Sequence, residues 1–386
     1  MKRHHLPSRE DWRDKADAVG FVWHHTGGQA YWEDAAAYSF TLRQVEDHLE
    51  PAAATLHELC LDLVDHVLRD VELLLKLAIP REHWEYVVAA WTGREPSLYG
   101  RFDFGYDGSG PPKLYEYNAD TPTSVFEAAV FQWLWLEDRI ADGSLAADAD
   151  QFNSLHEKLT ERFRALFPLG GFVHFASDAE SVEDRQTVRY LEDLAAQAGL
   201  EPKFVAMRDV GLTAEGEFVD PDGYVLQAAF KLYPWEDMFR EPYAPNLLGS
   251  RVRWMEPAWK SILSNKGILP LLWARHRGHP NLLPAFFEGD PAAAELGGRY
   301  VRKPLFSREG ADIEVFGGPD VPVLRQGYGA EGAILQAWAP PPDFDGRRPV
   351  VGAWMAGHEP AGVGVREDDG PVTKDLARFV PHFIDG

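Results

Sequence analysis

The stretch RFDFGYDGSGPPKLYEYNADTPTS, beginning at Arg101, sets Arg101 and Asp103, then Glu116, Asn118 and Asp120, at every second position. Alternate residues of a strand share a face, so each set points one way. Brought together, the two sets would form a cluster of oxygens beside a guanidinium. Asp, Glu and Asn are the hard oxygen ligands that Mg²⁺ prefers, and Mg²⁺ commonly links protein carboxylates to nucleotide phosphates. A neighbouring arginine can steady a transferring phosphoryl group. The same alternation also suits the polar, solvent-facing side of an antiparallel sheet.

Two basic clusters bear on that choice. VRKPLFSREGAD puts Lys303 and Arg308 around a loop with Ser307 and Gly310, where backbone N–H groups and a cation can cradle phosphate. It is not a Walker A motif, and a Lys and an Arg beside a turn are mostly solvated surface. In EPAWKSILSNKGILPLLW, Lys266 precedes an apolar helical run, a place where the helix dipole opposes a cation unless an anion sits there too. The plain reading is a surface lysine. Cys60, in HELCLDLVDHV, falls on a helix's apolar stripe and reads as a core thiol rather than a nucleophile.

The elements that must position these residues are legible in outline. LYGRFDF and KLYEYNA alternate and flank the turn-rich GYDGSGPP, which predicts a β-hairpin. Apolar positions at helical spacing predict a helix over 41–78, with Thr41 as N-cap and Ile79-Pro80 as its end, and a second over His83–Trp91. SVFEAAVFQWLWLEDRI and DQFNSLHEKLTERFRALF predict further helices. Between about 171 and 240 the pattern is strand, helix, strand, as in a small parallel α/β unit. From Tyr300 onward short strands dominate and imply an antiparallel sheet.

Composition bounds the partners. The 386 residues are 45% hydrophobic and 12% aromatic, which excludes a disordered chain. They suffice for about two domains or one large α/β domain. The formal charge of −23 disfavours nucleic acid and anionic membranes and would attract a cationic small molecule, although an acidic surface also serves solubility alone. A single cysteine, no apolar leader and no membrane-length run point to the cytoplasm.

RFDF, YEYNAD, EPAWKSILSNKGILPLLW, KPLFSREG and the terminal GVGVRED together resemble the synthetase domain of the glutathionylspermidine synthase family, over almost the whole chain. The resemblance implies an α/β (α+β) fold: a circularly permuted ATP-grasp ligase with a small inserted α/β subdomain and an antiparallel C-terminal sheet. On this reading 1–386 is one unit. Within it, 1–150 supplies N-terminal helices and the metal hairpin, 151–245 the small subdomain and 246–386 the nucleotide-binding lobe. No length is left for the amidase domain of bifunctional members.

The resemblance further implies ATP and Mg²⁺, as two ions, with Asp103, Glu116 and Asn118 as metal ligands. Arg101 and Arg366 would act at the reacting phosphoryl group. Arg101, Phe102, Asp103, Lys266, Lys303, Glu309 and Gly310 would meet the nucleotide, and Leu335, Gln336, Ala337 and Trp338 would form the hinge against adenine. Thr121, Thr123 and Arg308 would border the acid substrate. Glu183 and Asp184 would attract the amine. The implied activity is ligation of a short peptide or glutathione-like acid to a polyamine such as spermidine; a non-catalytic nucleotide or polyamine binder on the same fold is the other reading. Leu232 and Val350 depart from the family's threonine and glutamine, and SREGAD lacks its cysteine and serine, so the acid stays open. Oligomeric state is not implied.

Overall fold

Alternation along the hairpin sets one apolar and one polar face, and the rest of the chain packs around that division. A computed structural model describes residues 1–26, 28–374 and 377–385. Near the N-terminus, β1 (Lys2–His5) and β2 (Ala36–Phe40) pair antiparallel. Thr41 then opens the first helical stretch with a reciprocal cap: its Oγ1 accepts from the Gln44 N–H at 3.3 Å, and Gln44 Oε1 accepts from the Thr41 N–H at 3.0 Å.

The single helix expected over 41–78 is divided. A π-helical segment, Gln44–Leu49, leads into an α-helix, Glu50–Val67, and a separate helix covers Val71–Lys76. Asp70 makes the break, its carboxylate accepting from the Glu72 N–H at 2.9 Å. A short polar side chain favours such a cap over a place inside a helix. The next helix is Trp84–Thr92.

The hairpin follows as β3 (Tyr99–Gly105) and β4 (Lys113–Asn118). After helices Gln132–Ala141 and Leu155–Leu166 come β5 (Gly171–Ser177), helix Val182–Gln197, β6 (Leu200–Ala206), β7 (Ala228–Leu232) and β8 (Arg253–Met255). These four strands form a parallel sheet in the order β8-β7-β5-β6, as the strand-helix-strand pattern predicts, with β8 as an unforeseen addition.

The strands beyond Tyr300 do not make one sheet, which corrects the expectation. β9 (Ala285–Phe287), β10 (Tyr300–Pro304), β11 (Glu314–Phe316) and β12 (Ala333–Ala337) form one antiparallel sheet in the order β9-β12-β10-β11. β13 (Arg348–Ala356), β14 (Glu359–Asp368) and β15 (Arg378–Val380) join the hairpin instead, giving β15-β14-β13-β3-β4. The last strand, β16 (His382–Ile384), lies parallel on β2. Local alternation specifies a strand but not its partner.

Phe102, Phe104, Leu114 and Tyr117 face the core, with Leu56, Cys60 and Leu63 of the Glu50–Val67 helix in the same buried cluster. Phe102 and Tyr117 stack at 3.8 Å. Each such side chain, fully buried, contributes on the order of 1.5–3 kcal/mol. The opposite face of the hairpin keeps the polar residues. No helix among the described residues is long and apolar enough to cross a membrane.

Candidate functional site

Register brings the polar residues together. Arg101 pairs with Asn118 and Asp103 with Glu116 across the β3–β4 ladder. Arg101 and Asp103 are only 5% and 2% exposed, so this is not a solvated sheet face. Arg101 donates from Nε and Nη2 to both Asp103 oxygens, at 2.7 and 3.1 Å, and from Nη1 to the Thr123 carbonyl at 2.8 Å. Gly352 on β13 makes room for it: a Cβ there would lie 2.7 Å from Arg101 Cδ. Arg366, on β14, reaches Asp103 at 2.6 Å through one nitrogen, and the Asn118 amide lies between Asp103 and Glu116.

The lysines close the group from the other side. Lys266 is 8% exposed rather than a surface residue; it pairs with Glu116 at 2.9 Å and donates to the Ser307 carbonyl. Burial pushes the Glu116 carboxyl upward, but the Lys266 charge and hydrogen bond, with Lys303 and Arg366 behind them, outweigh that and hold it well below the usual range. Lys303, 7% exposed, donates to Gln336 Oε1 at 2.7 Å and to the Tyr115 carbonyl at 3.1 Å. Burial brings its ammonium down to about 8. Gln336 Nε2 in turn donates to the Leu114 carbonyl at 3.1 Å, so this side chain stitches β12 to the edge of β4.

Two cavities meet at this cluster. One is lined by Asp103, Lys303, Gly310, Gln336, Ala337, Trp338 and Val350. The other is lined by Arg101, Asn118, Thr121, Thr123, Asp184, Leu232 and Arg308. Glu116, Lys266, Glu309 and Arg366 border both. Arg308 is paired with Glu236, a wall residue that the sequence reading missed. Burial, then the Glu183 charge, raises Asp184 to about 7.

Some expected residues stand apart. The Phe102 ring lies in the core, on the face away from both cavities. Leu335 pairs with Phe286 and Arg302 and lines neither cavity. Glu183 also lines neither; its charge acts on Glu127, a fully buried carboxyl pushed to about 7 by burial and then by Glu183. Glu127 was missed, although a single charge in the apolar run SVFEAAVF is a detectable signal. Asp120, named with the polar set, does line the second cavity, but its carboxylate is held in a buried ion pair with Lys231 at 2.7 Å and also accepts from the Trp235 N–H at 2.9 Å. Cys60 is buried in the core, where its thiol is pushed well upward by burial, so it is no activated nucleophile.

Residues 3–385 match the glutathionylspermidine synthase preATP-grasp family. The chain belongs to the glutathionylspermidine synthase family. A Haemophilus influenzae relative with the name "Putative acid--amine ligase" is 38% identical, covering 98% of each chain. Trypanothione synthetase of Crithidia fasciculata is 28% identical over 82% of this chain and 52% of its own. The bifunctional glutathionylspermidine synthetase/amidase of Escherichia coli is 27% identical over 97% of this chain and 63% of its own. The chain therefore spans between half and two thirds of these last two family members. A glutathione synthetase like-effector from Globodera pallida, 10% identical, superimposes with a TM-score of 0.51 over 90% of this chain and 88% of its own, a likeness of fold alone.

Proposed function

We propose that this family member is an ATP- and Mg²⁺-dependent acid–amine ligase on a circularly permuted ATP-grasp framework. It would join a short peptide or glutathione-like acid to a polyamine such as spermidine. The observation that carries the reading is the junction of the two cavities at Glu116, Lys266, Glu309 and Arg366. One cavity offers lysines and an apolar wall suited to a nucleotide; the other offers hydroxyls and carboxylates suited to an acid and an amine.

A carboxylate does not acylate an amine at neutral pH because its oxygen is a poor leaving group. ATP removes that obstacle: a carboxylate oxygen attacks the γ-phosphorus and ADP departs. The amine nitrogen then attacks the acyl carbon, inorganic phosphate leaves, and the nitrogen gives up a proton. Lys266 and Lys303 would offset phosphate charge in a site that excludes water. Arg366, with one side-chain hydrogen bond among the described residues and a 23% exposed side chain, is freer to meet the transferring group than Arg101, which is bonded on three nitrogens. Asp184, poised near 7, can face a cationic amine or take its proton.

Asp103, Glu116 and Asn118 fit Mg²⁺ in donor type: two register-matched carboxylates and an amide whose Nδ2 now donates to both of them and whose oxygen would turn inward to meet the ion. Among the described residues no group of three His, Cys, Asp or Glu forms a metal set, so the amide is needed. When bound, two such ions would add positive charge beside the phosphates.

The test is ADP release with MgATP and spermidine across glutathione and other short peptides. Amine-dependent release is expected for at least one acid, and Asp103→Asn or Glu116→Gln should abolish it while the protein stays folded. ATP binding without amine-dependent release from any acid would favour a non-catalytic binder, and wild-type turnover in either variant would remove the metal assignment.

A further inference from the structure

The hairpin contains an irregularity that alternation does not foretell. Asp103 faces Glu116 and Phe104 faces Leu114, so Tyr115 is an extra residue without a partner across the ladder. A bulge of this kind re-aims a side chain and is frequent beside active sites. Here it turns two consecutive residues, Tyr115 and Glu116, toward the cavity lined by Lys303 and Trp338. The Tyr115 ring lies over Gly105, where a Cβ would come within 2.0 Å of the phenol oxygen. That hydroxyl donates to the Ala339 carbonyl at 2.7 Å, in the stretch that walls the cavity from Ala337, the end of β12, to Pro341. The Tyr115 carbonyl accepts from Lys303, whose Nζ is also 5.6 Å from the ring centre.

We infer that Tyr115 is a positioning residue of the nucleotide half of the site. Its hydroxyl ties the wall at Ala337–Pro341 to the strand that carries Glu116, so the base side and the phosphate side of the cavity keep a fixed separation. The inference rests on reading that cavity as the nucleotide's. A tyrosine that merely fills space needs only its ring, so replacing the hydroxyl alone separates the two roles.

The experiment is equilibrium binding of MgATP to the wild type, Tyr115→Phe and Gly105→Ala, with backbone hydrogen exchange of the unliganded proteins. Tyr115→Phe should lower the melting temperature by no more than about 3 °C and weaken ATP binding about three- to tenfold, the range one net hydrogen bond supplies. Exchange should quicken at Ala337–Ala339 and stay unchanged at Phe102–Phe104. Gly105→Ala, whose added Cβ would force the phenol oxygen aside without removing it, should weaken ATP binding in the same direction; if it fails to fold, Tyr115→Phe decides. Unaltered ATP affinity in Tyr115→Phe, or exchange rising equally in both segments, overturns the inference. A wild type that does not bind MgATP rejects the nucleotide reading and this inference with it, whereas wild-type binding with an indifferent Tyr115→Phe rejects the inference alone.

Discussion

Glu127 shows what one buried carboxyl does to the protein around it. It is 0% exposed, and its Oε1 accepts from Tyr31 Oη at 2.7 Å and from Trp23 Nε1 at 2.9 Å, while Oε2 has no hydrogen-bond partner among the described residues. Burial, then Glu183, raises the carboxyl from 4.5 to about 7. The folded state thus holds this proton to higher pH than the unfolded chain. Between about 4.5 and 7 the native protein binds more protons, so this group makes stability fall as pH rises, with the whole cost present above 7. Glu127→Gln cannot ionise and should lose that slope. At pH 8 it is expected to be more stable than wild type, by at most about 3 kcal/mol, and at pH 4 nearly equal to it. Urea midpoints at the two pH values check this; a variant that is less stable at pH 8 would contradict it.

At the scale of elements, the hairpin was legible because two runs of alternating residues flank a turn-rich stretch, and its polar set is the set that converges. The bulge at Tyr115 was not, since it belongs to the register between strands and leaves no mark on either strand alone. The division at Asp70 could have been read: a capping residue stands where the helical pattern was carried through. Lys266 and Lys303 were ambiguous because burial of a lysine depends on partners, here Glu116 and Gln336, brought in by other elements. Gly352 is likewise meaningful only with β13 beside β3. Gly352→Ala should push Arg101 off Asp103 and lower kcat for ADP release at least about tenfold, as expected when a preorganised charge is misplaced. The fold should survive, by circular dichroism and melting. Full activity in that variant would show that the Arg101 position is not needed.

Across the whole molecule, the contacts least visible in sequence join its two ends. Arg3 on β1 donates to both oxygens of Glu367 on β14, at 2.7 and 3.0 Å, and Tyr38 on β2 donates to the same carboxylate at 2.7 Å. Glu367 is 0% exposed and follows Arg366 directly, so a pairing spanning 364 positions braces the strand that carries a site arginine. Arg3→Ala leaves Arg347 and Arg378 near Glu367, at 3.9 and 3.7 Å. It should therefore cost somewhat less than the 3–5 kcal/mol typical of a broken buried pair, about 2–3 kcal/mol by urea unfolding. A loss below about 0.5 kcal/mol would show that the remaining arginines compensate fully.

The seam between β4 and the neighbouring sheet has a consequence for how the molecule behaves in company. β4 ends the five-stranded sheet, and a terminal strand with free backbone groups is a template for pairing with another chain. Here the Leu114 carbonyl is taken by Gln336, the Tyr115 carbonyl by Lys303, and the Leu114 N–H by the Asn281 carbonyl. The Gln336 and Lys303 side chains that shape the cavity thus also occupy backbone groups along that border, leaving fewer of them open to a foreign strand.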